Sequence, residues 1–360
     1  MNLIFISLFQ KKIFRFNKYF TNLNSIIKLP VNFIVLYSII IFTSMSIQNS
    51  IFSEEISTPS SKNLKKWGYV YSNSFEKFPN QYINRLQKDY DILCITGLLL
   101  RGTGQLRFEN EFMNKLIKSG INTEKIIIYP MVGISSVKEG ITILSSEGAR
   151  LKAIENILKF LKAYNFQGVH LDFEGLPEDY ARPFASFLKE LKEKLTTNNI
   201  HLSISLFPPL EFNDPNKGFH NPSILTSSVD SVVLMAYDYH NTKTDQGCVT
   251  GETWAENNII EVKKYFKPEE IWLGIPSYGY EWSGALKSPR VVSSREAQLL
   301  KNQFPHSKEP LGCIKISKKD GGKEGFIFYA DTELRNGLTK LAEKHNLIGT
   351  ALWRIGLEDE

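Results

Sequence analysis

"GVHLDFEG", residues 168–175, sets three ionisable side chains at alternate positions of an otherwise apolar run. Side chains alternate between the two faces of a strand, so His170, Asp172 and Glu174 share one face while Val169, Leu171 and Phe173 share the other. One face belongs to a core and the other to a polar pocket. Burying several ionisable groups together is costly unless they are paired, so the pattern points to chemistry more than to packing. Two neighbouring carboxylates also disfavour full ionisation, which should raise the pKa of Glu174 and suit it to act as a general acid.

Outward from this strand, seven further β-rich apolar runs punctuate the chain: "WGYVYS" (67–72), "DILCITGLLL" (91–100), "KIIIYPMVG" (125–133), "HLSISLF" (201–207), "SVVLMAYDY" (231–239), "IWLGIPSYG" (271–279) and "IGTALWRIG" (348–356). Several of the connections between them carry helical spacing. In 147–165, Leu151, Ile154, Leu158 and Leu161 recur at three and four, and "FASFLKELKEKL" (184–195) does likewise. Strands alternating with helices imply a parallel sheet, and eight such units imply a closed (β/α)8 barrel, an α/β fold of the TIM type. The competing architecture is an open doubly wound sheet. It would want a Gly-rich phosphate turn after its first strand, and "RGTGQLRF" (101–108) has the wrong spacing, so it reads as a loop. The connection 283–330 is longer than a crossover needs, and a small insertion between the seventh and eighth strands is expected there. In a barrel of this type the functional rim is the carboxyl end of the strands, where Glu174 closes its run.

The chain has 360 residues, enough for one large barrel or two ordinary domains, and a formal charge of +5. Lys11, Lys12, Arg15, Lys18 and Lys28 supply five positive charges in an acid-free leader, leaving 38 basic against 38 acidic residues beyond position 50. A nearly neutral body gives no reason to expect a nucleic-acid partner. The leader runs into an uncharged apolar stretch, Val31–Ile47, short for a membrane span and long for a signal-peptide core. Residues 1–50 are therefore expected to be a signal peptide or membrane anchor. The positive leader predicts export of the remainder of the chain, to a periplasmic, extracellular or membrane-anchored location. Residues 51–66 read as a polar linker and 67–360 as the barrel domain. Cys94, Cys248 and Cys313 are odd in number and widely spaced, and are expected to be three small buried hydrophobes with neither disulfide nor zinc site. No metal site is expected among the histidines either, His240 reading as a loop residue.

"QGVHLDFEG" resembles the fourth-strand signature of family 18 glycoside hydrolases, Asp-Gly-x-x-Asp-x-Asp-x-Glu with small variations. "LMAYDYH" (234–240), "LGIPSYGYEW" (273–282) and "ALWRIG" (351–356) resemble the sixth, seventh and eighth strands of the same family, in the same order over 67–358. "GVHLDFEGLPEDYARPFASFLKEL" followed by "SISLFPP" is most similar to its bacterial spore-cortex and peptidoglycan-lytic branch. The resemblance implies substrate-assisted hydrolysis with retention, an exception to two-carboxylate glycosidase chemistry that needs no cofactor. Glu174 would protonate the glycosidic oxygen, Asp172 would hold the N–H of the sugar's 2-acetamido group, and Tyr237 would donate to its oxygen. Met235, Asp238, Tyr278 and Trp353 are the implied substrate contacts, with Trp353 as an apolar platform. Gln167 and His170 depart from the signature: each stands where the family often has Asp, and His170 is expected to donate a hydrogen bond to Asp172. The implied partner is a β-1,4-linked N-acetylglucosamine glycan, peptidoglycan or chito-oligosaccharide. A non-catalytic, lectin-like glycan-binding barrel is the alternative, against which the presence of Glu174 weighs.

Overall fold

The computed structural model describes residues 64–72, 74, 80–108, 116, 118, 120–122, 124–283, 286–320 and 322–359. The expected leader 1–50, and residues 51–63 of the expected linker, lie outside them. No helix among the described residues is long and apolar enough to cross a membrane.

Eight parallel strands close on themselves. They are β1 (Lys65–Tyr71), β2 (Ile92–Leu100), β4 (Ile127–Ile134), β5 (Gly168–Asp172), β6 (His201–Leu206), β7 (Ser231–Leu234), β8 (Ile271–Pro276) and β14 (Gly349–Trp353), with β1 pairing both β2 and β14 to complete the ring. A three-residue strand, β3 (Leu106–Phe108), pairs antiparallel with β2, so part of the stretch read as a loop is a hairpin. The fold is the expected (β/α)8 barrel.

Residues alternate along each strand between the ring's interior and its helical coat. Trp67, Tyr69, Cys94, Tyr129 and Trp272 fill the interior, and the Trp67 ring lies within 5.1–5.3 Å, centroid to centroid, of Tyr129, Trp272 and His170. Directly after β5, Phe173 stacks on Phe184 and Phe187 of the helix Ala181–Thr196, at 5.3 and 5.9 Å. Each such fully buried phenylalanine stabilises the fold by roughly 1.5–3 kcal/mol. The helix Glu147–Ala163 is capped by Ser146, whose side chain accepts from the Ala149 N–H, and Glu147 and Lys162 complement its dipole. Its buried stripe is Ala153, Ile154, Ile157, Phe160 and Leu161, whereas Leu151, expected on that stripe, is exposed. The spacing of Ile154 and Leu161 with Ile157 and Phe160 defines a wider apolar arc that leaves Leu151 on its solvent side.

Two runs are shorter as strands than as apolar sequence. The seventh ends at Pro276, and Ser277 turns the chain, its N–H donating to the Trp353 carbonyl and its hydroxyl to that of Arg354. The chain then builds a five-stranded antiparallel sheet before returning to the barrel. Its strands are β9 (Tyr278–Ser283), β10 (Arg290–Ser293), β11 (His306–Lys308), β12 (Ile314–Asp320) and β13 (Lys323–Tyr329). The run 231–239 is a strand only as far as Leu234. Beyond it the backbone folds into i→i−2 contacts at Ala236 and Tyr237, and Asp238 takes a φ of +61°.

The cysteines correct the sequence expectation. Cys248 and Cys313 form a disulfide across a separation of 65 residues, and only Cys94, buried in the barrel interior, is a free thiol. Spacing along the chain carried no signal for this pair. They meet because the loop after β7 folds back on itself, with the Tyr239 and His240 N–H groups donating to the Val249 and Cys248 carbonyls, and lies against the start of β12.

Candidate active site

The carboxyl ends of β5, β6, β7 and β14 surround a cavity of about 190 Å³ lined by Tyr69, Asp172, Glu174, Ser205, Phe207, Phe212, Met235, Tyr237, Asp238 and Trp353. A second cavity, lined by Thr96–Leu99, Met131, Gly133 and Ile134, opens on the other side of the same two carboxylates. Asp172 and Glu174 thus form the ridge between two halves of a cleft. Parallel register puts Gly133 of β4 beside Asp172, where it lines the second cavity.

Asp172 is the last residue of β5, and Glu174 lies two residues past the strand, on the same side of the chain. Burial raises the pKa of both. For Glu174 the negative charge of Asp172 and a hydrogen bond to it push further in the same direction, and Asp238 and Asp214 add to it. Asp172 is pulled back down by hydrogen bonds from Ser205 and Glu174. These causes favour the proton on Glu174 and the charge on Asp172, and Glu174 keeps contact with solvent through the cavity.

His170 does not reach Asp172 directly, contrary to expectation. Its Nε2 lies 3.0 Å from both the Ser205 and Tyr69 hydroxyls, its Nδ1 lies 3.2 Å from the Ser203 hydroxyl, and Ser205 in turn donates to Asp172 Oδ1 at 2.5 Å. The reason is geometric: His170 and Asp172 are separated by a full pleat of one strand, whereas Ser203 and Ser205 sit beside them on β6. Because the single Ser205 proton goes to Asp172, Ser205 has only lone pairs to offer His170 Nε2 and accepts from it in the Nε2–H tautomer. Complete burial lowers the His170 pKa to about 3, so the ring is neutral and brings no charge to the site.

Tyr237 is buried with its pKa raised well above the usual value, first by burial and then by the charges of Asp172, Glu174 and Asp238, so its hydroxyl stays protonated. Among the described residues that hydroxyl has no hydrogen-bond partner. Gly274 makes room for the ring, since a Cβ there would stand 2.8 Å from Tyr237 Cε1. Asp238 accepts on one oxygen, Oδ1, from the hydroxyls of Tyr278 at 2.5 Å and Tyr280 at 2.7 Å. Burial raises its pKa and these two bonds oppose the rise. Tyr278, implied as a substrate contact, does not line the cavity and instead holds Asp238 in place. Trp353 and Met235 line it, and Trp353 packs edge-on against Tyr69 at 5.0 Å. Tyr69, Ser205, Phe207 and Phe212 escaped the sequence reading. Ser203 and Ser205 were detectable, alternating with Leu202, Ile204 and Leu206 as His170 and Asp172 do on the neighbouring strand.

The profile of glycosyl hydrolases family 18 matches residues 40–358. The chain belongs to that family. It is 24% identical over 229 residues to the glycosylase YvbX of Bacillus subtilis (strain 168), a match that covers 61% of this chain and 65% of YvbX. The curated relatives it matches are covered over only 53–65% of their length. Among solved structures, the Bacillus cereus spore cortex-lytic enzyme SleL superposes with a TM-score of 0.70 at 19% identity, over 82% of this chain and 71% of that one. A chitinase from Chromobacterium violaceum superposes with a TM-score of 0.71 at 19% identity, over 82% of this chain and 96% of that one, so the family 18 chain shares their fold.

Proposed function

We propose that the protein is a retaining glycosidase that cleaves β-1,4-linked N-acetylglucosamine glycans by substrate-assisted catalysis. The observation that carries this reading is one cavity lined by Asp172, Glu174 and the Tyr237 hydroxyl, with Asp172 accepting from Ser205 and the pKa of Glu174 raised by burial and by the Asp172 charge. A sugar seated on Trp353 brings its glycosidic oxygen to Glu174, which gives up its proton as the bond to the leaving sugar breaks. The 2-acetamido oxygen of the substrate attacks the anomeric carbon. Asp172, held by Ser205, accepts from the acetamido N–H and stabilises the positive charge that develops on the oxazolinium ring, while Tyr237 donates to the acetamido oxygen. Glu174, now a carboxylate, takes a proton from water as that water opens the ring, restoring the starting state with net retention.

Residues 1–50 are the proposed export signal or anchor. The Cys248–Cys313 bond supports an oxidising destination, since such bonds rarely persist in the cytosol. The test is hydrolysis of peptidoglycan and of chitohexaose by the parent beside Glu174→Gln. Release of reducing ends, lost by about a hundredfold or more in the variant, is expected for a general acid. Equal glycan binding by both proteins without cleavage would leave a lectin.

A further inference from the structure

Beyond Trp353 the wall of the cavity continues to a cation. Trp67, Tyr69 and Tyr71 share the inward face of β1, and they grade outward from fully buried Trp67 to Tyr71 at 40% exposure. Trp353 bridges the last two, with its ring centroid 5.0 Å from Tyr69 and 6.0 Å from Tyr71. Over the Tyr71 ring stands the guanidinium of Arg354, its Cζ 3.9 Å from the centroid. Among the described residues, Arg354 has no carboxylate partner. Its backbone is fixed, because its carbonyl accepts from Ser277 and the next N–H donates to the Tyr69 carbonyl. The guanidinium thus stands over Tyr71, the ring that touches the cavity-lining Trp353, with its planar fork of donors unused among the described residues.

Its surroundings give this position a meaning. Neither half of the cleft is lined by a lysine or arginine, whereas Asp172, Glu174 and Asp238 all face the first half. A glycan bearing carboxylates would meet repulsion from the ionised acids of that cavity, and a cation beside its wall is the group that would offset it. We infer that Arg354, braced on Tyr71, reads a carboxylate carried by the sugar next to the one seated on Trp353, so that the site prefers acidic N-acetylhexosamine glycans to neutral ones. A planar guanidinium pairs with a carboxylate through two parallel hydrogen bonds, which an ammonium does not reproduce. This assignment rests on the glycosidase reading above. It makes Arg354 a determinant of specificity, with no part in bond breaking.

The experiment compares three probes: chitohexaose, which is neutral; peptidoglycan glycan strands stripped of their peptides, which keep an ether-linked carboxylate on alternate sugars; and the same strands with those carboxylates amidated. Strands retaining their peptides form a further arm, which separates the sugar's own carboxylate from those of the peptide. The parent is expected to favour stripped strands over amidated ones by about tenfold in kcat/KM, the worth of one charge-assisted contact. Arg354→Gln should erase that preference while leaving chitohexaose turnover within about twofold, and Arg354→Lys should restore part of it. Equal losses on all probes would mean that Arg354 only supports Trp353, and an undiminished preference in Arg354→Gln would place the discrimination elsewhere; either overturns the inference. Should Arg354→Gln not fold, Tyr71→Leu removes the brace and serves the same comparison. If the parent cuts none of the probes, the glycosidase reading fails. Calorimetric binding of stripped and amidated strands to the parent and to Arg354→Gln then tests the carboxylate reading by itself.

Discussion

Replacing both members of the Cys248–Cys313 pair by alanine should cost the protein several degrees of thermal stability and loosen its site together. The bond closes a loop of 65 residues, and the chain entropy released to the unfolded state by opening such a loop is worth about 4 kcal/mol. Over the roughly 300 residues from Leu64 to Glu360, with an unfolding entropy of about 2 cal/mol/K per residue, that corresponds to a melting temperature about 7 °C lower. The functional effect arises from the segments that the bond fastens. Its first cysteine lies in the loop after β7 that presents Tyr237 and Asp238, and its second lies at the foot of β12, in the sheet whose first strand grips Asp238. Calorimetry of the double variant and the parent, in the absence of reductant, measures the first effect, and KM on a soluble N-acetylglucosamine oligomer measures the second. A melting temperature within about 1 °C of the parent, with KM unchanged, would show that the loop and sheet hold their positions without the bond.

Gly274→Ala should lower kcat and destabilise by about 1–3 kcal/mol, because the added methyl meets Leu234 O and the Tyr237 ring; kinetics and denaturant titration of one preparation check both. Tyr278→Phe combined with Tyr280→Phe removes both donors that favour ionised Asp238, so the acid limb of the pH–rate profile should move to higher pH; an unmoved limb would show that the ionisation of Asp238 is immaterial. His170 is depressed to about 3 in the folded protein, so between that pH and its ordinary value near 6.5 the unfolded chain binds one more proton and stability rises with pH. Denaturant midpoints of His170→Asn against the parent should therefore differ in slope by about 1.4 kcal/mol per pH unit across that window, the variant being the flatter. Glu174 has the opposite sign: its raised pKa costs stability as pH climbs above the ordinary carboxylate range, so Glu174→Gln should melt higher than the parent at pH 8 while losing activity.

The barrel was legible because its signal is repetitive: eight apolar runs, each followed by polar or helical spacing, leave few ways to close a sheet. The two acidic members of the ridge were visible for a local reason, since Asp172 and Glu174 interrupt an apolar run at the strand's own period. Relations that depend on neighbouring strands were harder. His170 was placed on the correct face, but its route to Asp172 runs through Ser205, thirty-three residues beyond Asp172 and adjacent only through β5–β6 pairing. Tyr278 opens β9, because the barrel strand ends three residues before the apolar run does, and its hydroxyl goes to Asp238. The disulfide joins positions brought together by two separate loops, a relation that cysteine spacing does not encode.

The five-stranded sheet leaves and rejoins the barrel at one spot, because Gly279 at the start of β9 pairs with Tyr329 at the end of β13. The two chains pass so closely that a Cβ at Gly279 would stand 2.5 Å from Tyr329 Cα. The excursion is joined to the barrel by this narrow neck and by the Cys248–Cys313 bond, and lengthening the segment between those two fastenings changes the closure entropy only slowly. Evolution could remodel this wall of the cleft wholesale, as a cassette, with the barrel's strand order untouched. Two conditions would survive every exchange: the residues on either side of Gly279 must offer hydroxyls to Asp238, and a cysteine must meet Cys248.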